Sequence, residues 1–229
     1  MDGRAEPPAP GPAPRGRPIT LALPKGRLLE EAAPLLAQAG LPAPDDPGRQ
    51  LRVEKDGWVY LLVRPADVPT YVEYGAADLG LVGKDVLLEQ EPAVAEVADL
   101  GFGACRLVVA VPEGSAITEI DELDFHSRVA TKYPRIAAQF FEEQGLAVEL
   151  ITLKGSIELA PAMGLADAIL DLTQTGRTLE ANRLRVIAQV AESTARLIAN
   201  PVRLRLREAE LAPWLARIEA AARGGGEQP

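Results

Sequence analysis

Two successive series of apolar strand-like runs, alternating with helix-period segments, most constrain how this 229-residue chain can fold. Residues 19–23 form a short β-rich run, a basic turn follows at 24–27, and apolar residues then recur at helical spacing as far as residue 39. Pro34 inside this helical pattern predicts a kink or an early break. Further strand-like runs occupy residues 58–63, 78–83, 94–100 and 105–111, and helix-like segments occupy 68–74 and 84–91.

The same alternation restarts at residues 128–131, a short strand before a helix that begins at Pro134, because proline suits the first helical position. Strand-like runs follow at 148–153, 168–170, 186–190 and 195–199, and helix-like segments at 157–163 and 206–223. Strands that alternate with helices are typical of parallel sheets. The sequence therefore predicts an α/β fold with two βα lobes around a cleft. Lobe I is predicted to comprise residues 18–107 plus 190–229, and lobe II residues 108–189.

Composition restricts the class of protein and its partners. Residues 1–17 are crowded with proline, glycine and alanine and lack the apolar segment of a secretory signal, so we expect a disordered N-terminal extension. No apolar run approaches the roughly 20 residues that span a bilayer, which predicts a cytoplasmic protein with no membrane partner. The formal charge of −9 argues against nucleic-acid binding, which depends on clustered Lys and Arg that release counterions.

The single cysteine and the single histidine offer little chemistry. Cys105 cannot form an internal disulfide, and its apolar neighbours predict a buried structural thiol. One histidine excludes a site with several histidine ligands, and the polar neighbours of His126 predict a surface loop.

The most informative segment is residues 167–179, an apolar strand that leads into a hydroxyl- and glycine-rich turn before a helix. N–H groups at a helix N-terminus carry about half a positive charge, and Gly176 lets an anion approach the backbone closely. Asp171 stands where the strand ends, so its carboxylate could accept hydrogen bonds from the two ribose hydroxyls of a sugar phosphate. Hydroxyl donors are available from Thr173, Thr175 and Thr178. An ordinary βα turn with a threonine N-cap is the alternative interpretation.

The order of an acid, an apolar residue and then Thr-x-Thr-Gly-x-Thr is similar to the phosphoribosyl-pyrophosphate loop of phosphoribosyltransferases. Seven stretches in sequence order together resemble the ATP phosphoribosyltransferase family, from about residue 19 to residue 201: 23–28, 67–80, 82–85, 130–134, 155–161, 171–179 and 192–201. The resemblance implies lobes like those of type II periplasmic binding proteins. It also implies transfer of a phosphoribosyl group to N1 of ATP with release of pyrophosphate, the first step of histidine biosynthesis, with magnesium required.

The resemblance also assigns residues. The donor, phosphoribosyl pyrophosphate, is expected to bind Asp171, Thr173, Gln174, Thr175, Gly176, Arg177 and Thr178. The expected catalytic residues are Lys25 and Arg27 in a basic turn that meets substrate phosphates, and Glu158 on the other side of the cleft. Arg64 and Lys132 are weaker candidates. Lys25 and Arg27 could instead form a solvated turn, Glu158 could be a helix-start charge, and Asp78 and Asp85 could be caps or turn residues. Magnesium is expected to bind through the substrates, without protein ligands.

The resemblance is to the short form of the family, because no further regulatory domain fits after the helix that contains Trp214. The short form works with a separate regulatory subunit similar to histidyl-tRNA synthetase, so we expect a hetero-oligomer, with self-association of the chain. Two alternatives remain open from the residues. One is a non-catalytic binding module of the same architecture, and the other is a phosphoribosyltransferase with another base as acceptor.

Overall fold

The computed structural model describes residues 17–42 and 50–224. The expected disordered extension therefore lies outside the described residues except for Arg17, and so does most of the predicted loop at 41–50. The chain divides into two compact units. Unit 1 comprises Met1–Leu87, Glu91–Gly103 and Thr194–Pro229, and unit 2 comprises Leu88–Gln90 and Ala104–Ser193.

Strands and helices are numbered along the described part of the chain. The strands are β1 (Ile19–Pro24), β2 (Arg52–Lys55), β3 (Trp58–Val63), β4 (Leu79–Gly83), β5 (Ala95–Asp99), β6 (Cys105–Pro112), β7 (Arg128–Thr131), β8 (Glu149–Thr152), β9 (Ala168–Thr173), β10 (Leu184–Ser193) and β11 (Ala195–Ala199). The α-helices are α1 (Arg27–Gln38), α2 (Val68–Glu73), α3 (Lys84–Gln90), α4 (Pro134–Glu143), α5 (Leu159–Ala162), α6 (Arg177–Ala181), α7 (Pro201–Leu206) and α8 (Glu208–Gly224). Two 3₁₀ turns occupy Pro65–Asp67 and Ile120–Glu122.

Unit 1 is built on a six-stranded mixed sheet in the order β2-β3-β1-β4-β11-β5. β1 runs parallel to β3 and to β4, whereas β11 runs antiparallel to both of its neighbours. α1 and α8 cover one face, where Trp214 meets the ring of Trp58 edge-on at a centroid distance of 5.0 Å. α2 packs against the other face through Val68 and Val72. Because both faces of the central strands are covered, β1 is buried along its whole length.

Unit 2 is built on a five-stranded sheet in the order β10-β6-β9-β7-β8. β7 runs parallel to β8 and β9, and β6 runs antiparallel to β9 and β10. α4 covers one face through Ile136, Ala137 and Phe141. The other face carries α5 and α6, which pack on Val108, Ala110 and Ile169. Strand β9 is therefore buried between α4 on one face of the sheet and α5 with α6 on the other.

Two sequence expectations about these elements are wrong. The early break at Pro34 does not occur, since α1 continues to Gln38 with Pro34 exposed while Ala32, Leu35 and Leu36 hold the helix on the sheet. The alternation also predicted parallel sheets, whereas both sheets are mixed. In unit 1 this arises because β11 inserts antiparallel between β4 and β5, and because β2 pairs antiparallel with β3.

The single cysteine and the single histidine lie where the sequence predicted them. Cys105 is buried, and its thiol lies 3.6 Å from the carbonyl oxygen of Ser193, which accepts from it. His126 is exposed in a turn. No helix in residues 17–42 and 50–224 is long and apolar enough to cross a membrane.

Candidate functional site

The turn after β9 is the segment in which the sequence predicts an anion-binding loop. Thr173 is buried at the end of the strand, and its Oγ1 accepts a hydrogen bond of 3.2 Å from the Gly176 amide. Gly176 has a φ of +79°, which residues with a Cβ rarely adopt, so the chain can fold back into α6. The loop side chains that remain exposed are Gln174, Thr175, Arg177 and Thr178. Thr173 therefore shapes the loop, while Thr175 and Thr178 present hydroxyl groups to solvent.

The helix behind this loop is short. α6 has five residues, so its dipole adds little to anion binding, and the predicted half charge at a helix N-terminus overstates the effect here. If a phosphate binds at this loop, its affinity would come from the polar groups of the loop itself and from nearby cations.

Asp171 lies two residues before the end of β9 and is 9% exposed. Its Oδ1 accepts a hydrogen bond of 2.7 Å from the Leu172 amide and lies 3.5 Å from Nζ of Lys132. Burial raises the pKa of the Asp171 carboxyl above its ordinary value, against the opposing effect of the Lys132 ammonium group. The same ammonium group lies 5.0 Å from the ring centroid of Tyr133. Lys132, a weak candidate from sequence, is thus in direct contact with the acid of the loop.

Glu158 belongs to the same unit as the loop and precedes α5. Its side chain makes no capping hydrogen bond to that helix, and its negative charge contributes to the raised pKa of Asp171. The preceding turn contains Ser156 with a φ of +51°, an uncommon conformation for a residue with a Cβ. Backbone conformations of this kind cluster at functional sites. The structure therefore brings Glu158, Asp171 and Lys132 within electrostatic reach of one another.

The remaining predicted cations lie in unit 1. Lys25 and Arg27 flank Gly26, which has a φ of +90° and begins α1 without a side-chain cap. Arg27 also forms an ion pair of 3.3 Å with Glu31 one turn along α1. Arg64 follows β3, and the Lys25 amide donates to the carbonyl oxygen of the residue before Arg64. Because β1 and β3 are parallel, these three exposed cations stand at the same edge of the sheet.

Asp78 has a structural role rather than a place in this site. It is 1% exposed, and its Oδ2 accepts hydrogen bonds from the Thr20 amide at 2.9 Å and from Nη1 of Arg207 at 2.8 Å. It lies just before β4 begins, so it stands at the opposite end of the strands from Lys25. Asp85 is also buried, in the first turn of α3.

One arginine beside the loop was not singled out by the sequence. Arg106 on β6 lies directly opposite Thr173 in the antiparallel pairing of β6 with β9. No local motif marks Arg106, since its position follows only from the register between two strands far apart in the chain.

The two units, each an α/β layer structure on a mixed sheet, define a two-lobed α/β protein, and unit 2 carries a hydroxyl- and glycine-rich loop beside a buried carboxylate. The family profile described as "HisG: ATP phosphoribosyltransferase" matches residues 64–220. A relative named ATP phosphoribosyltransferase from Moorella thermoacetica is 51% identical over 220 residues, which cover 92% of this chain and 96% of the relative. The chain belongs to the ATP phosphoribosyltransferase family. It is accordingly a transferase of the glycosyltransferase type.

Solved structures agree with this assignment. The "ATP phosphoribosyl transferase (HisG:HisZ) complex from Thermotoga maritima" contains a chain that is 35% identical, with a TM-score of 0.77 and coverage of 90% of this chain and 99% of that one. The alkanesulfonate-binding protein SsuA from Xanthomonas axonopodis pv. citri is 16% identical with a TM-score of 0.58, covering 91% of this chain and 73% of that protein. The likeness to SsuA concerns the fold alone, and it confirms the predicted fold class of type II periplasmic binding proteins.

Proposed function

We propose that this protein transfers the 5-phosphoribosyl group of phosphoribosyl pyrophosphate to N1 of ATP, giving N1-(5-phosphoribosyl)-ATP and pyrophosphate. This is the first step of histidine biosynthesis. The observation that carries the proposal is a family match across nearly the whole chain combined with a loop at 171–178 that holds a buried carboxylate next to exposed hydroxyl groups. The loop suits the donor because a ribose 5-phosphate offers two hydroxyls to an acceptor and one anion to donors.

Asp171 is proposed to accept hydrogen bonds from the 2- and 3-hydroxyl groups of the donor ribose. The 5-phosphate is then placed over the exposed part of the loop, where Thr175, Thr178 and backbone N–H groups donate to it, with the side chains of Gln174 and Arg177 alongside. Lys132 offsets the charge of Asp171 at 3.5 Å, so the carboxylate repels the phosphate less than an unpaired acid would.

Lys25 and Arg27 are proposed to bind substrate phosphates from unit 1, with Arg64 as a third cation at the same sheet edge. Adenine N1 already has a lone pair, so its attack on C1 of the ribose needs no strong base. The C1–oxygen bond to pyrophosphate breaks as the C1–N1 bond forms. Positioning of the two substrates supplies much of the rate, up to roughly 7–11 kcal/mol at the extreme. Glu158 is proposed to stabilise the positive charge that develops at C1 as pyrophosphate departs.

Magnesium is the divalent ion that we propose for this reaction. Among residues 17–42 and 50–224, no three or more His, Cys, Asp or Glu side chains are grouped so that they could hold a metal ion. Mg²⁺ usually keeps several waters and binds substrate phosphates, so we propose that it is held through the phosphates of the two substrates, without dedicated protein ligands. When bound, the ion would neutralise charge on the pyrophosphate group.

We further propose that the chain acts in the cytoplasm as part of a hetero-oligomer. The Thermotoga maritima relative was solved as a HisG:HisZ complex, and this chain is matched over 99% of the length of the solved chain. A separate subunit similar to histidyl-tRNA synthetase is the proposed partner. We expect it to be needed for full activity and to carry part of the regulation by histidine, while the catalytic chains also associate with one another.

The test is an absorbance assay of N1-(5-phosphoribosyl)-ATP formation with ATP, phosphoribosyl pyrophosphate and Mg²⁺, with and without the partner subunit. Arg27→Ala is expected to lower kcat/KM about 10- to 100-fold, because a hydrogen bond to a charged group contributes about 1.5–3 kcal/mol. Arg223→Ala is the matched control, since Arg223 forms an ion pair of the same length, 3.3 Å, with a glutamate one turn away on α8.

The outcomes separate the alternatives. Product that forms mainly with the partner supports the proposal, and full histidine-inhibited activity of the chain alone would contradict the dependence on a partner. Folded proteins that form no product in either mixture would favour a non-catalytic binding module. Binding of phosphoribosyl pyrophosphate together with a different base would favour another acceptor.

A further inference from the structure

Arg106 lies on the sheet face that carries the donor loop. In the antiparallel pairing of β6 with β9, Arg106 is opposite Thr173 and Val108 is opposite Asp171. Directly opposed residues in such a pair point to the same face, with Cβ atoms roughly 4.5–5.5 Å apart. Val108 is buried under α5 and α6, so these side chains lie on the face of the sheet that α5 and α6 cover. The side chains of Arg106, Thr173 and Asp171 therefore leave the sheet on one side, next to the loop.

Arg106 also differs from the other arginines on strands. Arg52, Arg128 and Arg196 each form an ion pair with a carboxylate, and Arg185 donates to two backbone carbonyl oxygens. Arg106 is exposed and forms no ion pair or side-chain hydrogen bond within residues 17–42 and 50–224.

The carboxylate that the strand register places opposite Arg106 forms no ion pair with it in the described part of the chain. Glu192 on β10 is opposite Arg106, but its Oε1 accepts a hydrogen bond of 3.2 Å from Nε2 of Gln189. A guanidinium group beside the loop that has no partner among the residues the structure describes is available to a ligand.

The charges around the loop favour a further cation. The chain has a net charge of −9, and the carboxylates of Asp171 and Glu158 act on the loop. Lys132 forms an ion pair with Asp171 at 3.5 Å, and the five-residue helix α6 offers little dipole. Arg177 is an exposed cation of the loop itself, and Arg106 offers a phosphate there a second guanidinium group from the neighbouring strand.

We infer that Arg106 binds a phosphate group of phosphoribosyl pyrophosphate at the loop, as a donor-binding residue. This inference rests on the proposed function. The planar guanidinium group can donate two parallel hydrogen bonds to two phosphate oxygens, which an ammonium group cannot do. Arg106 thereby adds β6 to the donor site, beside β9 and the segment after β7.

The test is isothermal titration of the full-length chain with phosphoribosyl pyrophosphate in the presence of Mg²⁺, and separately with ATP. Arg106→Ala is expected to raise the Kd for phosphoribosyl pyrophosphate about 10-fold or more, and Arg106→Lys to give a smaller rise because it loses the two-pronged contact. The Kd for ATP is expected to stay within about twofold. Arg205→Ala, which removes another exposed arginine from α7 in unit 1, is the charge-matched control.

Steady-state kinetics with the partner subunit give the second readout. In Arg106→Ala, KM for phosphoribosyl pyrophosphate should rise while KM for ATP does not, and the thermal midpoint should match that of the wild-type chain because the side chain is exposed. Unchanged donor affinity in a folded Arg106→Ala variant would overturn the inference and leave the proposed function standing. Equal losses for donor and ATP would overturn it as well. A wild-type chain that does not bind phosphoribosyl pyrophosphate would overturn both.

Discussion

Asp171→Asn replaces a buried carboxylate near the end of β9 by a neutral amide of nearly the same size. Burial raises the pKa of Asp171, and the charge of Lys132 opposes this rise only in part. A raised folded-state pKa means that the folded chain binds the proton more tightly than the unfolded chain does. The ionised carboxylate therefore opposes folding above that pKa, and the penalty is relieved as pH falls through it. Near neutral pH, Asp171→Asn should raise the free energy of unfolding.

The same substitution should lower catalysis. The carboxylate offers two charged acceptors for the two ribose hydroxyls, whereas the amide keeps one neutral acceptor and turns a donor toward the other. Losing about one charge-assisted hydrogen bond corresponds to about 1.5–3 kcal/mol, or about a 10- to 100-fold lower kcat/KM for phosphoribosyl pyrophosphate. KM for ATP should change little. The wild-type enzyme should lose donor affinity as pH falls through the raised pKa of Asp171, and the variant should lack this pH dependence.

The assay combines steady-state turnover at saturating ATP, a pH series of donor affinity, and urea unfolding at neutral pH. Asp121→Asn, an exposed acid of the same unit, is the matched control and should change none of the three. A folded Asp171→Asn variant with unchanged kcat/KM for the donor would refute the ribose contact. A variant that is less stable than wild type would refute the argument from the buried charge.

Two further predictions concern stability in unit 1, measured by urea unfolding. Arg207→Ala should cost about 3 kcal/mol, because the buried charge of Asp78, 1% exposed, loses its 2.8 Å partner and keeps Arg203 at 3.9 Å. Adding Asp78→Asn should recover part of that loss, and a cost below about 1 kcal/mol for Arg207→Ala would contradict the argument. Gly80→Ala should cost about 1–3 kcal/mol, because its Cβ would lie 2.7 and 2.9 Å from valine methyl groups of α2. Gly114→Ala, whose Cβ would meet nothing within 4 Å, should stay within about 0.5 kcal/mol, and equal costs would refute the packing argument.

Local elements and the donor loop could be predicted from sequence because their signals are local. The apolar run at 19–23 is the strand β1, and Pro134 is the first residue of α4, as the sequence indicated. The loop after Asp171 was equally visible, since a buried strand, a glycine that must adopt positive φ and clustered threonines lie within a dozen residues. Periodicity and turn chemistry act over such distances, so no tertiary information was needed.

The edge strand β2 shows where local signals weaken. Its four residues, Arg52–Lys55, are largely exposed, so neither an apolar run nor a clear alternation marks them. Pairing with β3 makes this segment a strand, with Lys55 opposite Trp58. The mixed strand directions in the sheets could not be predicted from local signals either. The direction of a strand depends on the side from which the chain re-enters the sheet, and the composition of the strand carries no information about that.

What the sequence determined by itself is most of the strands and helices, the family and the turn that begins at Asp171. The tertiary structure alone decided which charges surround that loop. Lys132 meets Asp171 because β7 and β9 run side by side, and Arg106 stands opposite Thr173 because β6 pairs antiparallel with β9. In unit 1, Asp78 and Arg207 pair across 129 residues. Contacts of this kind depend on strand register and helix packing. Register and packing are determined by which apolar side chains the whole core buries, and residues that are neighbours in sequence do not determine them alone.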